Sequence, residues 1–107
     1  LLDSWHWFTS GGNIEDIKRL DKNKIVYVHI NDAPFSDIEK LVDTERNIPG
    51  ETGIIDLTGF LKAIKETGYD GPVTPEPFNK RVNELPDEIA VRLVGGYITK
   101  LLGDVFQ

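Results

Sequence analysis

The fold is decided by the stretch Ile25-Val26-Tyr27-Val28-His29-Ile30, in which β-branched and aromatic residues run unbroken between polar flanks. A continuous apolar run of this length predicts a strand that is buried on both faces, as the strands of a parallel sheet are. Residues 1–3 have the character of a strand end, and residues 71–78 contain a third strand that Pro75 and Pro77 shorten.

Helical patterns alternate with these strands. The first predicted helix runs from Asn13, as N-cap, to about Asp21, and the next begins at the cap Asp56 and ends at Gly68. The last is predicted from Pro86 to about Leu102, and residues 31–55 are predicted to be a long loop. The order β-α-β-α-β-α predicts an α/β fold with parallel strands and amphipathic helices.

Composition narrows the classes of partner. The 107 residues include 12 basic and 18 acidic side chains, and the formal charge is −6. Such a surface repels phosphate, so we expect neither nucleic acid nor an anionic membrane as a partner. The chain has no apolar run near the ~20 residues of a membrane span. It also has no cysteine, which is typical of a cytoplasmic protein and excludes a thiolate metal site.

Three side chains that can bind metals fall at the predicted strand ends: Asp3, His29 and Glu76. Because the carboxyl ends of parallel strands meet at one edge of the sheet, we expect them to converge. Two carboxylates and one imidazole suit Mn²⁺, Co²⁺, Zn²⁺ or Mg²⁺. Each residue also has an ordinary explanation: a turn-forming aspartate, a core histidine, and a glutamate whose burial is costly unless it is paired.

Two further residues could reach the same pocket. His6 lies three residues after Asp3, in a predicted loop, and is either a substrate contact or an exposed histidine. Arg46, in the long loop, is either a surface ion-pair partner or a clamp for an anion or hydroxyl. Three aromatic residues flank His6 and indicate a pocket wall, an interface or core packing: Trp5, Trp7 and Phe8.

Four motifs in this order resemble the xylose isomerase-like TIM barrels: Asp3-Ser4-Trp5-His6, Val28-His29-Ile30-Asn31-Asp32, Asp43-Thr44-Glu45-Arg46 with Pro49-Gly50-Glu51, and Pro75-Glu76-Pro77-Phe78. Within that superfamily, residues 43–51 most resemble inosose (2-keto-myo-inositol) isomerases. The resemblance implies that residues 1–107 are a single partial TIM-barrel domain, the C-terminal three (β/α) units of a (β/α)₈ barrel. A whole barrel needs roughly 250 residues.

By the same resemblance, Asp3, His29 and Glu76 would be metal ligands, with Mn²⁺ the first choice of ion. His6 and Arg46 would be substrate contacts. Glu76 would also be catalytic, one member of a proton-transferring pair. The other glutamate, which is the family's fourth ligand, belongs to the strand before residue 1. The implied reaction abstracts a proton next to the carbonyl of a ketose or inosose and passes through an enediolate. This chain alone should be inactive or nearly so.

Other functions compete with this isomerase or epimerase. An inosose dehydratase could use the same ion and enolate. Apurinic-site endonucleases share the first two motifs, but they place D-x-H where this chain has Asp43-Thr44-Glu45-Arg46. From a different class, the chain could be a non-catalytic, self-associating part of a barrel. Exposed strand edges lead us to expect a homo-oligomer.

Overall fold

The computed structural model of the chain describes residues 1–42, 45–76 and 80–106. Within these ranges the strands are β1 Leu2–Asp3, β2 Val28–Ile30 and β3 Val73–Pro75. The α-helices are α1 Ser4–Thr9, α2 Ile14–Lys18, α3 Leu57–Glu66, α4 Lys80–Asn83 and α5 Asp87–Phe106. Short 3₁₀ turns occupy Lys22–Lys24 and Ile38–Lys40.

The three strands form one parallel sheet in the order β1-β2-β3. In the register of this sheet Asp3 lies beside His29, and His29 lies beside Thr74. Helices α2 and α3 follow β1 and β2 along the chain and pack against each other, as the helices of successive βα units do. The predicted α/β class with parallel strands is confirmed.

The central strand is shorter than its sequence predicts. The run from residue 25 to 30 is strand only over β2, because Ile25 still closes the preceding 3₁₀ turn. Val28 and Ile30 are completely buried, whereas Val26 is 74 % exposed. Burial on both faces was therefore the wrong expectation for the first half of this run.

Helix α3 begins and ends where the sequence predicts. The carboxylate of Asp56 accepts a hydrogen bond from the backbone N–H of Gly59 (3.0 Å), which caps the first turn. Gly68 follows the C-cap residue with φ +87°, a left-handed conformation that glycine adopts without strain. The face between these ends buries Phe60, Leu61 and other apolar side chains in the core, each contributing about 2 kcal/mol.

Helix α5 extends four residues past the predicted end at Leu102. Leu101 and Val105 are 7 % and 4 % exposed and pack in the hydrophobic core. Burial of these side chains stabilises the last turns of the helix. Helix α4 was not predicted. Among the residues that the structure describes, no helix is both long enough and apolar enough to cross a membrane.

Apolar surface on α5 lies open beside the sheet edge. Val91 is 70 % exposed and lines a shallow apolar groove together with Ile98 and Pro75 of β3. Within the described residues, β1 and β3 each pair on one side only. Both features favour association.

We therefore predict that the isolated chain self-associates at micromolar concentration, as light scattering would show. Val91→Asp should lower the average mass, because the groove then carries a charge. The neighbouring change Arg92→Ser, at a side chain that is 79 % exposed and one residue away, should leave the mass unchanged. A monomeric wild-type chain would contradict the expectation.

Candidate active site

The structure brings together the three strand-end residues that the sequence singled out. Ligand atoms of Asp3, His29 and Glu76 lie within 4.8 Å of one another. His29 Nδ1 is 2.8 Å from Glu76 Oε2 and 3.9 Å from Asp3 Oδ2. The expected convergence of these side chains is therefore present, and its geometry can be traced to the sheet.

Strand register produces this convergence. Asp3 and His29 are direct neighbours in the β1–β2 pair. On the other side, the backbone N–H of Glu76 donates to the carbonyl of Ile30 (2.9 Å), so the ladder continues one residue past β3. The rest of that motif, Pro77 and Phe78, lies outside the described residues.

Residues 4–9 form helix α1, so the predicted loop around His6 was wrong. The helix starts there because Asp3 is its N-cap: Oδ1 accepts hydrogen bonds from the N–H groups of Trp5 (2.8 Å) and His6 (3.3 Å). Its other oxygen, Oδ2, faces the cluster and lies 3.1 Å from Arg46. Asp3 is thus both a cap and a member of the site, with one oxygen for each contact.

Arg46 is buried in the site and is not a surface residue. Its side chain is 4 % exposed, and Nη1 lies 3.1 Å from Asp3 Oδ2 and 3.4 Å from Glu76 Oε2. The guanidinium also lies over the ring of Trp5, 5.6 Å from the centroid, in a cation–π contact. Of the two explanations offered for Arg46, the surface ion pair was wrong.

His6 lies at the exposed side of Arg46. Arg46 Nη2 is 3.3 Å from His6 Nε2, and His6 is exposed, so its imidazole could meet an incoming molecule. The two tryptophans that flank His6 make different contacts. Trp5 forms the wall under Arg46, whereas Trp7 packs on Phe60 at 5.2 Å between ring centroids.

Sequence reasoning missed Tyr27, which supports His29. The two rings meet edge to face at 4.9 Å, and the Tyr27 hydroxyl is 2.7 Å from the Thr74 hydroxyl on the neighbouring strand. The signal was available in the predicted strand over residues 25–30, because residues two apart on a strand point to the same face and Tyr27 is two residues before His29.

The donors of this cluster are those that hard divalent cations prefer. Two carboxylates outnumber the single guanidinium between them, so the cluster attracts positive charge. An imidazole nitrogen adds affinity for transition ions such as Mn²⁺, Co²⁺ or Zn²⁺. The donor set therefore suits a divalent ion held by Asp3, His29 and Glu76.

The buried ion pairs of Arg46 predict a stability difference. Arg46→Gln should lower the free energy of unfolding by about 3 kcal/mol, because it leaves the buried Asp3 carboxylate, 6 % exposed, without its cationic partner. The matched control is Arg92→Gln, which breaks an exposed pair with Glu88 (2.8 Å) and should cost less than about 1 kcal/mol. Denaturant titration of both variants is the measurement, and equal losses would contradict the buried pairing.

Comparison with known proteins gives independent information about the family and fold of this chain. A family model described as "Xylose isomerase-like TIM barrel" matches residues 1–94. The inosose isomerase of Bacillus subtilis is 39 % identical over 92 residues, which are 86 % of this chain and 33 % of that protein. A 3-dehydroshikimate dehydratase of Pseudomonas putida is 35 % identical over 88 residues, 80 % of this chain and 14 % of that one.

A solved structure, described as the IOLI protein with a binding zinc atom, superimposes with a TM-score of 0.89 at 34 % identity. The match covers 99 % of this chain and 38 % of that one. This chain spans about a third of the length of the inosose isomerases that it matches. The TIM-barrel expectation is confirmed, and the chain belongs to the xylose isomerase-like TIM barrel family.

Proposed function

We propose that the protein carrying this chain is a divalent-metal-dependent isomerase or epimerase of a ketose or inosose, acting by proton abstraction next to the carbonyl. The observation that carries the proposal is the cluster of three ligand atoms within 4.8 Å, with a buried guanidinium beside it. Relatives named inosose isomerase support the substrate class. On this proposal residues 1–107 are one partial barrel domain, and the remaining units complete the site.

Asp3, His29 and Glu76 would hold the ion. When bound, it would act as a Lewis acid on two adjacent oxygens of the substrate and stabilise the charge that builds up on them. Mn²⁺ remains our first choice, with Mg²⁺, Co²⁺ or Zn²⁺ as alternatives. The zinc atom named for the structural relative supports a divalent ion as the cofactor.

Glu76 is the residue that we assign to proton transfer. Its side chain is 26 % exposed, which leaves room for a substrate to approach. Within the described part of the chain, His29 and Arg46 both contact its Oε2. That leaves Oε1 to take the proton next to the carbonyl or to return it on the other carbon. A second glutamate, from the preceding strand of the barrel, would complete the pair.

Arg46 and His6 are assigned to substrate binding. Their head groups lie 3.3 Å apart beside the cluster, and the guanidinium of Arg46 offers N–H donors. The guanidinium of Arg46 is fixed in a buried position, so it can stabilise charge on a substrate oxygen without reorganising as the charge develops. Their contact with the substrate would also orient it over Glu76.

The central test is Glu76→Gln in the intact protein. Metal affinity, measured by calorimetry, should fall at least about tenfold because one ligand loses its charge. Turnover of 2-keto-myo-inositol should fall about 10²-fold or more because the proton acceptor is gone. Glu66→Gln is the matched control, since Glu66 lies on the exposed side of α3 with its side chain 61 % accessible. If Glu76→Gln changes neither affinity nor turnover, the assignment is wrong.

An inosose dehydratase is the second candidate, and the match to a 3-dehydroshikimate dehydratase favours it. Both reactions begin with the same proton abstraction, so the product separates them. In deuterated water, an isomerase should incorporate solvent deuterium into 2-keto-myo-inositol and its isomer without loss of water. Mass spectrometry that instead shows a dehydrated product would replace isomerase by lyase.

The remaining expectations stay predictions. They are the absence of a nucleic acid or membrane partner, a cytoplasmic location, and a homo-oligomeric state. An inactive, self-associating barrel part remains the alternative for the isolated chain. Its activity should be compared with that of the intact protein at equal concentration, and full turnover by the isolated chain would exclude this alternative.

A further inference from the structure

A buried carboxylate outside the proposed metal-binding cluster organises the long loop that follows β2. Asp32 is completely buried. Its Oδ1 accepts hydrogen bonds from the N–H groups of Ala33 (2.9 Å) and Ile55 (2.9 Å). Its Oδ2 accepts from the N–H groups of Thr52 (3.2 Å) and Gly53 (2.8 Å). One side chain thus binds the backbone on both sides of the loop.

The backbone of Asp32 holds the loop at a second point. Its N–H donates to the carbonyl of Asn47 (2.9 Å), and its carbonyl accepts from the N–H of Asn47 (2.8 Å). Asn47 directly follows Arg46 in the chain. Asp32 therefore fixes the chain next to Arg46 through its backbone and residues 52–55 through its side chain.

Only a carboxylate satisfies this arrangement. Four N–H groups point at two oxygens, and an ionised carboxylate has only acceptors to offer. Asparagine has the same shape, but its amide NH₂ would face two of these donors in a buried place. The cost of such a mismatch would fall on the loop, because the donors at residues 52, 53 and 55 belong to it.

The hydrogen bonds of Asp32, which we call the Asp32 clamp, link the strand that carries His29 to the loop that carries Arg46. Asp32 is three residues beyond His29, and Arg46 reaches back from the loop to within 3.1 Å of Asp3. A long, flexible side chain stays in one buried pose only if its backbone is fixed.

We propose that Asp32 is a positioning residue, which holds the loop so that the Arg46 guanidinium lies beside Asp3 and Glu76 and meets the charge developing on a substrate oxygen. This inference rests on the proposed function, in which Arg46 contacts the substrate and Asp32 does not. A clamp that served stability alone would act independently of Arg46.

A double-mutant cycle in the intact protein separates these roles. Asp32→Asn should lower kcat/KM about tenfold, the equivalent of one well-placed hydrogen bond to the transition state. In an Arg46→Gln background the same change should have no further effect, because the residue through which it acts is gone. A tenfold loss that persists in that background would overturn the proposal.

Two further variants test whether the loss of activity in the double-mutant cycle comes from loss of folding. Asp56→Asn removes a carboxylate that also accepts from a backbone N–H, at the exposed cap of α3, and should leave kcat/KM within about twofold. Gly53→Ala adds a methyl group that meets nothing within 4 Å, so it strains only the φ +72° backbone. It should weaken the clamp and reproduce a smaller, equally Arg46-dependent loss. If the loss caused by Gly53→Ala persisted in the Arg46→Gln background, the proposal would also be overturned.

A second readout does not need enzyme activity. Phenylglyoxal modifies accessible arginines, and mass spectrometry gives the rate at each site. Arg46, at 4 % exposure, should react far more slowly than Arg92, at 79 %. Asp32→Asn should speed the reaction at Arg46 about tenfold without changing Arg92. An unchanged Arg46 rate would refute the positioning role, whereas inactivity of the wild-type protein would refute only the proposed function.

Discussion

Hydrogen bonds between three short parallel strands fix the register of the sheet. The register determines which side chains are neighbours at the carboxyl ends of the strands. Asp3 and His29 are level because β1 and β2 pair there, and Glu76 joins them because its N–H continues the ladder to Ile30. A shift by one residue would turn one of these side chains to the other face of the sheet. Register, more than any individual contact, therefore makes a cluster out of residues that are far apart in the chain.

That register also creates an electrostatic problem, which Arg46 solves. Asp3 and Glu76 bring two carboxylates to one place, and like charges at short range repel strongly where water is scarce. The Arg46 guanidinium lies within 3.4 Å of both, and the Trp5 ring underneath provides a face that a flat cation can stack on. Trp5, two residues after Asp3, thus helps to hold the cation that balances the two carboxylates.

Much of this could be predicted from the sequence, and two of the failures, at Arg46 and Val26, share one cause. The strand ends carrying Asp3, His29 and Glu76 follow from local patterns, as do both ends of α3. The burial of Arg46 does not, because it depends on how a loop folds back over 14 residues from Asp32. The predicted strand wrongly included Val26 for the same reason. Strand propensity is a local property, whereas pairing partners and burial are set by the rest of the fold.

The two oxygens of Asp3 face different neighbours, one the start of α1 and the other the cluster. The side chain has therefore lost its rotational freedom on folding, before any ligand arrives. A ligand that binds there meets a carboxylate already aimed, and the entropy of orienting it does not count against affinity. The same coupling restricts evolution, since an exchange at this position that alters the ligand also alters where the helix begins.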